Sequence, residues 1–176
     1  MQYYALTELA DDNEKNQFYS RLNAVYGSTP PGDIVIIIGH LNAKVGVGNS
    51  GVQYDVGRHS VDVRNDHGGR FVDFCSTHNL IIGGTTFQHR KCDKVSWQHP
   101  SGRYAIDHLA ISRRFRGCLK DIRNRKLANI GNLRDHYLIV AMLRLRTAAI
   151  KQPDELYRRA PIYFTRDTLE TTRSQI

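Results

Sequence analysis

Five consecutive aliphatic residues constrain the fold of this chain more than any other feature. The run Ile34-Val35-Ile36-Ile37-Ile38 is β-branched throughout and ends at Gly39. β-Branched side chains favour strands, and an unbroken apolar run is typical of a strand that is covered on both faces of a sheet. We therefore predict a central strand here. The 176 residues suffice for one domain around it.

Helical and strand patterns surround this run. Asp11 and Asp12 can cap a helix that carries Phe18, Leu22 and Val25 on one face, and residues 69–78 have a second helical period. Further strands are predicted at residues 80–82, 95–97, 109–111 and 137–145, with a long surface loop at 45–67. Residues 1–146 are therefore predicted to form an α/β domain, and the polar residues 147–176 a linker-like tail.

The charge points to a polyanionic partner. The chain carries 25 Lys and Arg against 17 Asp and Glu, a net charge of +8. Seven cations lie in the connection after residue 112 and are candidate contacts to nucleic-acid phosphates, although such a run is equally typical of a solvated loop: Arg113, Arg114, Arg116, Lys120, Arg123, Arg125 and Lys126.

Cysteine usage and hydropathy predict an intracellular protein. Three widely spaced cysteines argue against a disulfide framework and suit a reducing compartment. The sequence shows neither a secretory signal nor an apolar stretch long enough to cross a bilayer. We expect a nuclear or cytoplasmic chain without a membrane partner, whose oligomeric state the sequence leaves open.

Three short polar motifs follow or precede the predicted strands: Gly39-His40-Leu41-Asn42, Ala105-Ile106-Asp107-His108 and Arg134-Asp135-His136. In an extended chain His40 and Asn42 would share a face. Asp107 could accept the Nδ1 proton of His136 and so orient a phosphate-facing imidazole, while Asp135 offers hard oxygens to a divalent ion. Taken alone, Asp107 or Asp135 is more often a loop cap or a surface residue, a lone His136 is more often structural, and Asn42 is typical of a turn. The ordered set therefore carries the prediction.

The order of the motifs carries a family resemblance. The same motifs, together with Asn65-Asp66-His67-Gly68-Gly69-Arg70 and the segment 97–103, resemble the endonuclease domains of RTE-type non-LTR retrotransposons and the craniofacial development protein 2-like host proteins, over roughly residues 3–145. These belong to the endonuclease/exonuclease/phosphatase family. The resemblance implies the C-terminal portion of a two-sheet α/β sandwich of the DNase I-like type, DNA as partner, and Mg²⁺ or Mn²⁺ as cofactor.

The resemblance also implies roles for single residues. His136 would contact the scissile phosphate and Asp107 would orient it, with Asp135 supporting the metal. Asn42 would position water or phosphate, and Tyr4 would match a phosphate-contacting tyrosine.

Two departures from the family pattern lead us to expect impaired catalysis. His40 stands where the family's Gly-Asp-x-Asn motif carries its aspartate. The family's early strands, which bring a metal-binding glutamate, would precede Tyr3. The expected function is therefore that of a fragment or degenerate copy of a metal-dependent DNA endonuclease. A non-catalytic basic nucleic-acid-binding module and a phosphatase of a small phosphoester remain alternatives.

Overall fold

The computed structural model describes residues 2–5, 10–47, 56–125 and 135–145. The elements are β1 (Gln2–Tyr4), α1 (Asp12–Gly27), β2 (Ile36–His40), α2 (Asp66–Thr77), β3 (Leu80–Ile82), β4 (Trp97–His99), β5 (Gly102–Tyr104), β6 (Asp107–Ser112), β7 (Leu119–Arg125) and β8 (Leu138–Leu143). The predicted tail at 147–176 and the predicted contact Lys126 lie outside the described residues. Within those ranges, none of the helices is both long and apolar enough to cross a membrane.

A four-stranded sheet organises the domain, in the order β1-β2-β6-β3. β2 runs parallel to β1 and antiparallel to β6, so it is an interior strand, as predicted. Two further pairs of strands, β4–β5 and β7–β8, form separate antiparallel ribbons.

Apolar side chains cover both faces of the four-stranded sheet. On one face Ile37 and Ile82 pack with Leu22 of α1 and Phe71 of α2. On the other face a second cluster joins the sheet to the β7–β8 ribbon: Ile81, Leu109, Ile111, Leu119 and Ile122, with Ile36 and Ile139 packed against it. The arrangement is a sandwich of sheets with helices on one side, which confirms the predicted fold class.

The aliphatic run differs from its prediction in detail. The strand begins at Ile36, and Ile38 keeps 42% of its surface exposed. The β7–β8 ribbon covers Ile36 but leaves Ile38 open. The expectation that the strand is covered on both faces therefore holds at Ile36 and Ile37 and fails at Ile38.

Local hydrogen bonds set the helix starts. Asp11 caps α1 in a reciprocal capping box with Glu14. Helix α2 begins three residues before the predicted start because the Asn65 side chain accepts from the Gly68 N–H at 2.8 Å. The same oxygen accepts from the Lys44 N–H at 2.8 Å, which ties α2 to the chain that follows β2.

Two segments that were predicted to be irregular contribute to the core. Strand β7 lies within the predicted basic connection, with Leu119 and Ile122 buried between its charged residues. In the predicted loop at 45–67, Val45 and Val56 are buried, and Val56 forms a bridge to Ile82. Strand β8, the partner of β7, is exposed at every second residue, at Leu138, Val140 and Met142.

Candidate functional site

Two histidines share one carboxylate at the end of the four-stranded sheet. His40 ends β2 and lies opposite Asp107, which begins β6. The His40 Nδ1 atom is 2.8 Å from one carboxylate oxygen of Asp107, and the His136 Nδ1 atom is 3.1 Å from the other. The two imidazole rings meet edge to face, with centroids 4.9 Å apart. The hydrogen bond between Asp107 and His136 that the sequence predicted is present.

Strand β4 delivers His136 to this position. His136 pairs with Trp97 in an isolated antiparallel bridge. On either side of the bridge the Gln98 N–H donates to the Asp135 carbonyl and the Tyr137 N–H to the Ser96 carbonyl, both at 2.7 Å. The segment that follows residue 134 is thereby held as an added strand beside β4.

Ser96 supports the site from within the core, a role the sequence did not reveal. Its side chain is fully buried, and its Oγ accepts hydrogen bonds from the N–H groups of Ile106 and Asp107, at 3.0 and 2.9 Å. Only a single small polar residue between Val95 and Trp97 marks the position in the sequence. Ser96 links the β4 strand directly to the start of β6.

Asp107 is ionised at neutral pH. Burial alone would raise the pKa of its carboxyl, but hydrogen bonds from His40 and Ser96, with the charges of His40 and His136, lower that pKa below its ordinary value. An ionised carboxylate only accepts hydrogen bonds, so both Nδ1 atoms carry the donated protons. In each imidazole, when neutral, the Nε2 atom is left with the lone pair.

Solvent reaches His136 more easily than the other two residues. Its side chain is 30% exposed, against 13% for both His40 and Asp107. A phosphate group arriving from solvent would therefore meet His136 before His40.

Asn42 does not form a pair with His40 along one strand. Strand β2 ends at His40, and Asn42 has a left-handed backbone with a φ of 50°. Its Nδ2 donates to the Ala5 carbonyl at 3.4 Å, towards β1, whereas His40 points to Asp107 of β6. The expectation that these two side chains share a face of an extended strand is therefore wrong.

Two other predicted residues lie around the same region. The backbone of Tyr4 pairs with His40 in parallel register. Asp135 is exposed, and its carboxylate accepts from the Trp97 indole N–H at 3.3 Å. Its proposed role as a metal-supporting residue stays a prediction.

His40, Asp107 and His136 could hold a metal ion. One donor atom from each lies within 4.8 Å of the others, and among the described residues this group does not include Asp135. Mg²⁺ prefers an octahedron of oxygen ligands. Two imidazole nitrogens and one carboxylate do not fit that preference, so the predicted Mg²⁺ does not match the donors found here.

The predicted cationic contacts are spread over the turn Arg113–Cys118 and β7. Arg114, Arg116, Lys120 and Arg125 are exposed. Arg123 is paired with Asp121 at 2.7 Å, and Arg113 donates to Asn79 at 2.6 Å.

One of these cations lies near the histidine segment. Arg125 lines a cleft of about 300 Å³ together with Arg103 and with Tyr137, the neighbour of His136. The lining of this cleft does not include His40, Asp107 or His136, and within it Arg125 lies 3.9 Å from the carboxylate of Asp93.

Comparison with known proteins supplies relatives of the chain. It matches no family model. It is 32% identical over 160 residues to craniofacial development protein 2 of Bos taurus, and equally to that of Tragulus javanicus. These 160 residues are 90% of this chain. The chain spans about a quarter of the length of these relatives, 26% and 27%.

Solved structures share the fold at low sequence identity. A 3'-5' exonuclease (NExo) from Neisseria meningitidis superposes with a TM-score of 0.60 at 14% identity, over 82% of this chain and 60% of that one. The endonuclease domain of TRAS1, a telomere-specific non-LTR retrotransposon, superposes with a TM-score of 0.51 at 13% identity, over 82% of this chain and 57% of that one. The chain therefore has a DNase I-like fold, shared with these nuclease structures, and 90% of its own length is similar in sequence to craniofacial development protein 2.

Proposed function

We propose that the Asp107–His136 site hydrolyses phosphodiester bonds in DNA, as an endonuclease whose activity is impaired by His40. The observation that carries the proposal is the 3.1 Å hydrogen bond between the Asp107 carboxylate and the His136 imidazole. It supplies an oriented, partly exposed imidazole at the end of a sheet. The Neisseria exonuclease and the retrotransposon endonuclease domain support the choice of substrate class by their shared fold.

His136 is suited to stabilise charge on a phosphate. When protonated, an imidazole donates from both ring nitrogens, so His136 can hold Asp107 through Nδ1 and a phosphate oxygen through Nε2. Water attacks phosphorus, the bond to the leaving oxygen breaks, and negative charge builds on the phosphate oxygens. The fixed position of the ring means that little reorganisation is needed as this charge develops.

His40 explains why the activity should be low. It occupies the second oxygen of Asp107 at 2.8 Å, so this carboxylate divides its hydrogen bonds between two imidazoles. It also replaces the oxygen donor that the resembling family carries at this position with nitrogen. Both effects weaken a site that would otherwise combine an aspartate–histidine pair with a hard metal ion.

Nicking of supercoiled plasmid tests the proposal. We expect slow, metal-dependent nicking by the full chain, loss of nicking in His136→Ala, and an increase of at least about tenfold in His40→Asp. His89→Gln is the matched control, because His89 also contacts a carboxylate, that of Asp121 at 2.6 Å, outside the site. Nicking that is equal in wild type and His136→Ala would refute the catalytic assignment.

Binding of nucleic acid without cleavage is the second candidate function. The exposed cations of the turn Arg113–Cys118 and of β7, together with the cleft lined by Arg103 and Arg125, favour it. Salt-sensitive binding to duplex DNA, without nicking by wild type or by His40→Asp, would select this candidate. Release of phosphate from a 3'-phosphorylated oligonucleotide, without nicking, would instead select a phosphatase.

A further inference from the structure

We propose that His40, Asp107 and His136 bind a divalent transition-metal ion of the Zn²⁺ and Co²⁺ class in preference to Mg²⁺. The three residues come from the end of β2, the start of β6 and the segment beside β4, so the fold rather than a local motif assembles them. The inference goes beyond the proposed function, because an ion bound to Nδ1 of His136 would displace the hydrogen bond to Asp107 on which that function rests, and the binding is measured without any activity.

The hydrogen-bonded geometry is close to that of a coordinated ion. The two Nδ1 atoms are 2.8 and 3.1 Å from the carboxylate oxygens. An ion with ligand bonds of about 2.0–2.2 Å in a tetrahedron keeps its ligand atoms roughly 3.3–3.5 Å apart. The two hydrogen-bonded pairs would therefore lengthen by roughly 0.2–0.7 Å as the ion replaces the shared protons, which move to the Nε2 atoms. The bonds go to different oxygens of Asp107, and the three ligand atoms, which lie within 4.8 Å of one another, would draw together around the ion.

The donor types decide which metals fit. Imidazole suits Zn²⁺ and its neighbours in the transition series, whereas Mg²⁺ requires oxygen ligands. Two histidines and one carboxylate make up a three-ligand set that leaves a coordination position open. The 30% exposure of the His136 side chain gives that open position a route to solvent.

Hydrogen bonds from neighbouring residues also hold the backbone of two of the proposed ligands in place. The Asp107 backbone N–H is held by the buried Ser96 Oγ at 2.9 Å, and His136 is fixed between the two backbone hydrogen bonds that join residues 135 and 137 to β4. Ligands that are fixed before binding lose little conformational freedom when the ion arrives.

Titration of the metal-free full chain with Co²⁺, followed by visible absorption, tests the proposal, and calorimetry with Zn²⁺ gives the affinity. We expect one site whose ligand-field bands persist in a large excess of Mg²⁺. His40→Asn and His136→Gln should each weaken Zn²⁺ binding by at least about tenfold. His89→Gln, at the other histidine–aspartate pair, should bind as wild type does.

Two variants on different strands guard against a folding defect, since circular dichroism will show which of them keeps the wild-type fold. Co²⁺ binding that is unchanged in a folded His40→Asn or His136→Gln would overturn the proposal, as would thiolate charge-transfer bands from the exposed Cys92 in place of histidine-type bands. Tight Zn²⁺ binding by a chain that also fails to nick plasmid in Mg²⁺ alone would support the metal site and reject the proposed function. Nicking in Mg²⁺ without binding of Zn²⁺ or Co²⁺ would support the proposed function and reject the metal site.

Discussion

Removing the Ser96 hydroxyl should destabilise the protein as strongly as a core mutation. In Ser96→Ala two backbone donors, the N–H groups of Ile106 and Asp107, lose their acceptor. The serine is fully buried, so solvent does not replace the lost oxygen at once. The substitution removes one atom and leaves the packing of Val95 and its neighbours unchanged.

The magnitude follows from the count of unsatisfied groups. A buried donor without a partner costs about 1–3 kcal/mol. Two donors that share one acceptor form weaker bonds than two separate pairs, so we expect a loss of about 2–4 kcal/mol in the free energy of unfolding. The loss should be accompanied by a rise in the pKa of Asp107, because the Ser96 hydrogen bond helps to lower it.

Urea unfolding followed by far-ultraviolet circular dichroism measures the effect. Ser101→Ala is the matched control, because Ser101 is exposed, its hydroxyl contacts the side chains of His99 and Tyr104, and a surface change of this kind stays within about 0.5 kcal/mol. If Ser96→Ala lost less than about 1 kcal/mol, with an unchanged dependence on urea, the buried hydroxyl would not be the support that we infer.

Three further predictions concern the helix, the core and the surface. Gly68→Ala should lower the free energy of unfolding by about 3 kcal/mol, because the added Cβ would lie 1.9 Å from the Lys44 carbonyl oxygen. At Gly69 an added Cβ meets nothing within 4 Å, so Gly69→Ala should raise the free energy of unfolding by roughly 0.5–1 kcal/mol in the same urea assay. Burial lowers the pKa of His108 from its ordinary 6.5, an effect that its hydrogen bond to Ala43 and the charges of Asp107 and Asp62 only partly offset. As the pH falls, the unfolded chain therefore protonates His108 before the folded protein does, so the free energy of unfolding should fall as the pH drops below about 6.5 towards the folded pKa. His108→Gln should flatten this pH dependence. A pH dependence that persists in the variant would show that His108 is not its cause. The affinity for duplex DNA, measured by fluorescence anisotropy, should fall steeply with added salt. The double variant Arg114→Gln/Arg116→Gln should show a weaker dependence of affinity on salt. An affinity that does not change across the salt range would contradict a role for these cations.

The parts of the fold that could be predicted rest on local chemistry. The aliphatic run that ends at Ile38, the acidic cap at Asp11 and the helical period around Phe71 each act within a few residues, and each forms the predicted type of element. Strand β7 was missed because its buried Leu119 and Ile122 alternate irregularly with charges that are equally typical of a loop.

The site could be predicted only where strand ends determine it. The contact between Asp107 and His136 followed from the expectation that chain ends of neighbouring strands meet. The pairing of His40 with Asp107 depends on the register between β2 and β6, which no local pattern specifies. Asn42 failed as the partner of His40 because its positive φ ends the alternation on which that prediction relied.

The position of Trp97 gives the protein an optical reporter of its own chemistry. It is the single tryptophan of the chain; its ring centroid lies 6.3 Å from that of His136 and its indole N–H donates to Asp135. Protonated imidazoles and many transition-metal ions quench indole emission at such distances, while a bound phosphate changes the polarity around the ring. The intrinsic fluorescence of the unlabelled wild-type chain should therefore follow metal loading and ligand arrival at His136 in real time, without contribution from any other tryptophan.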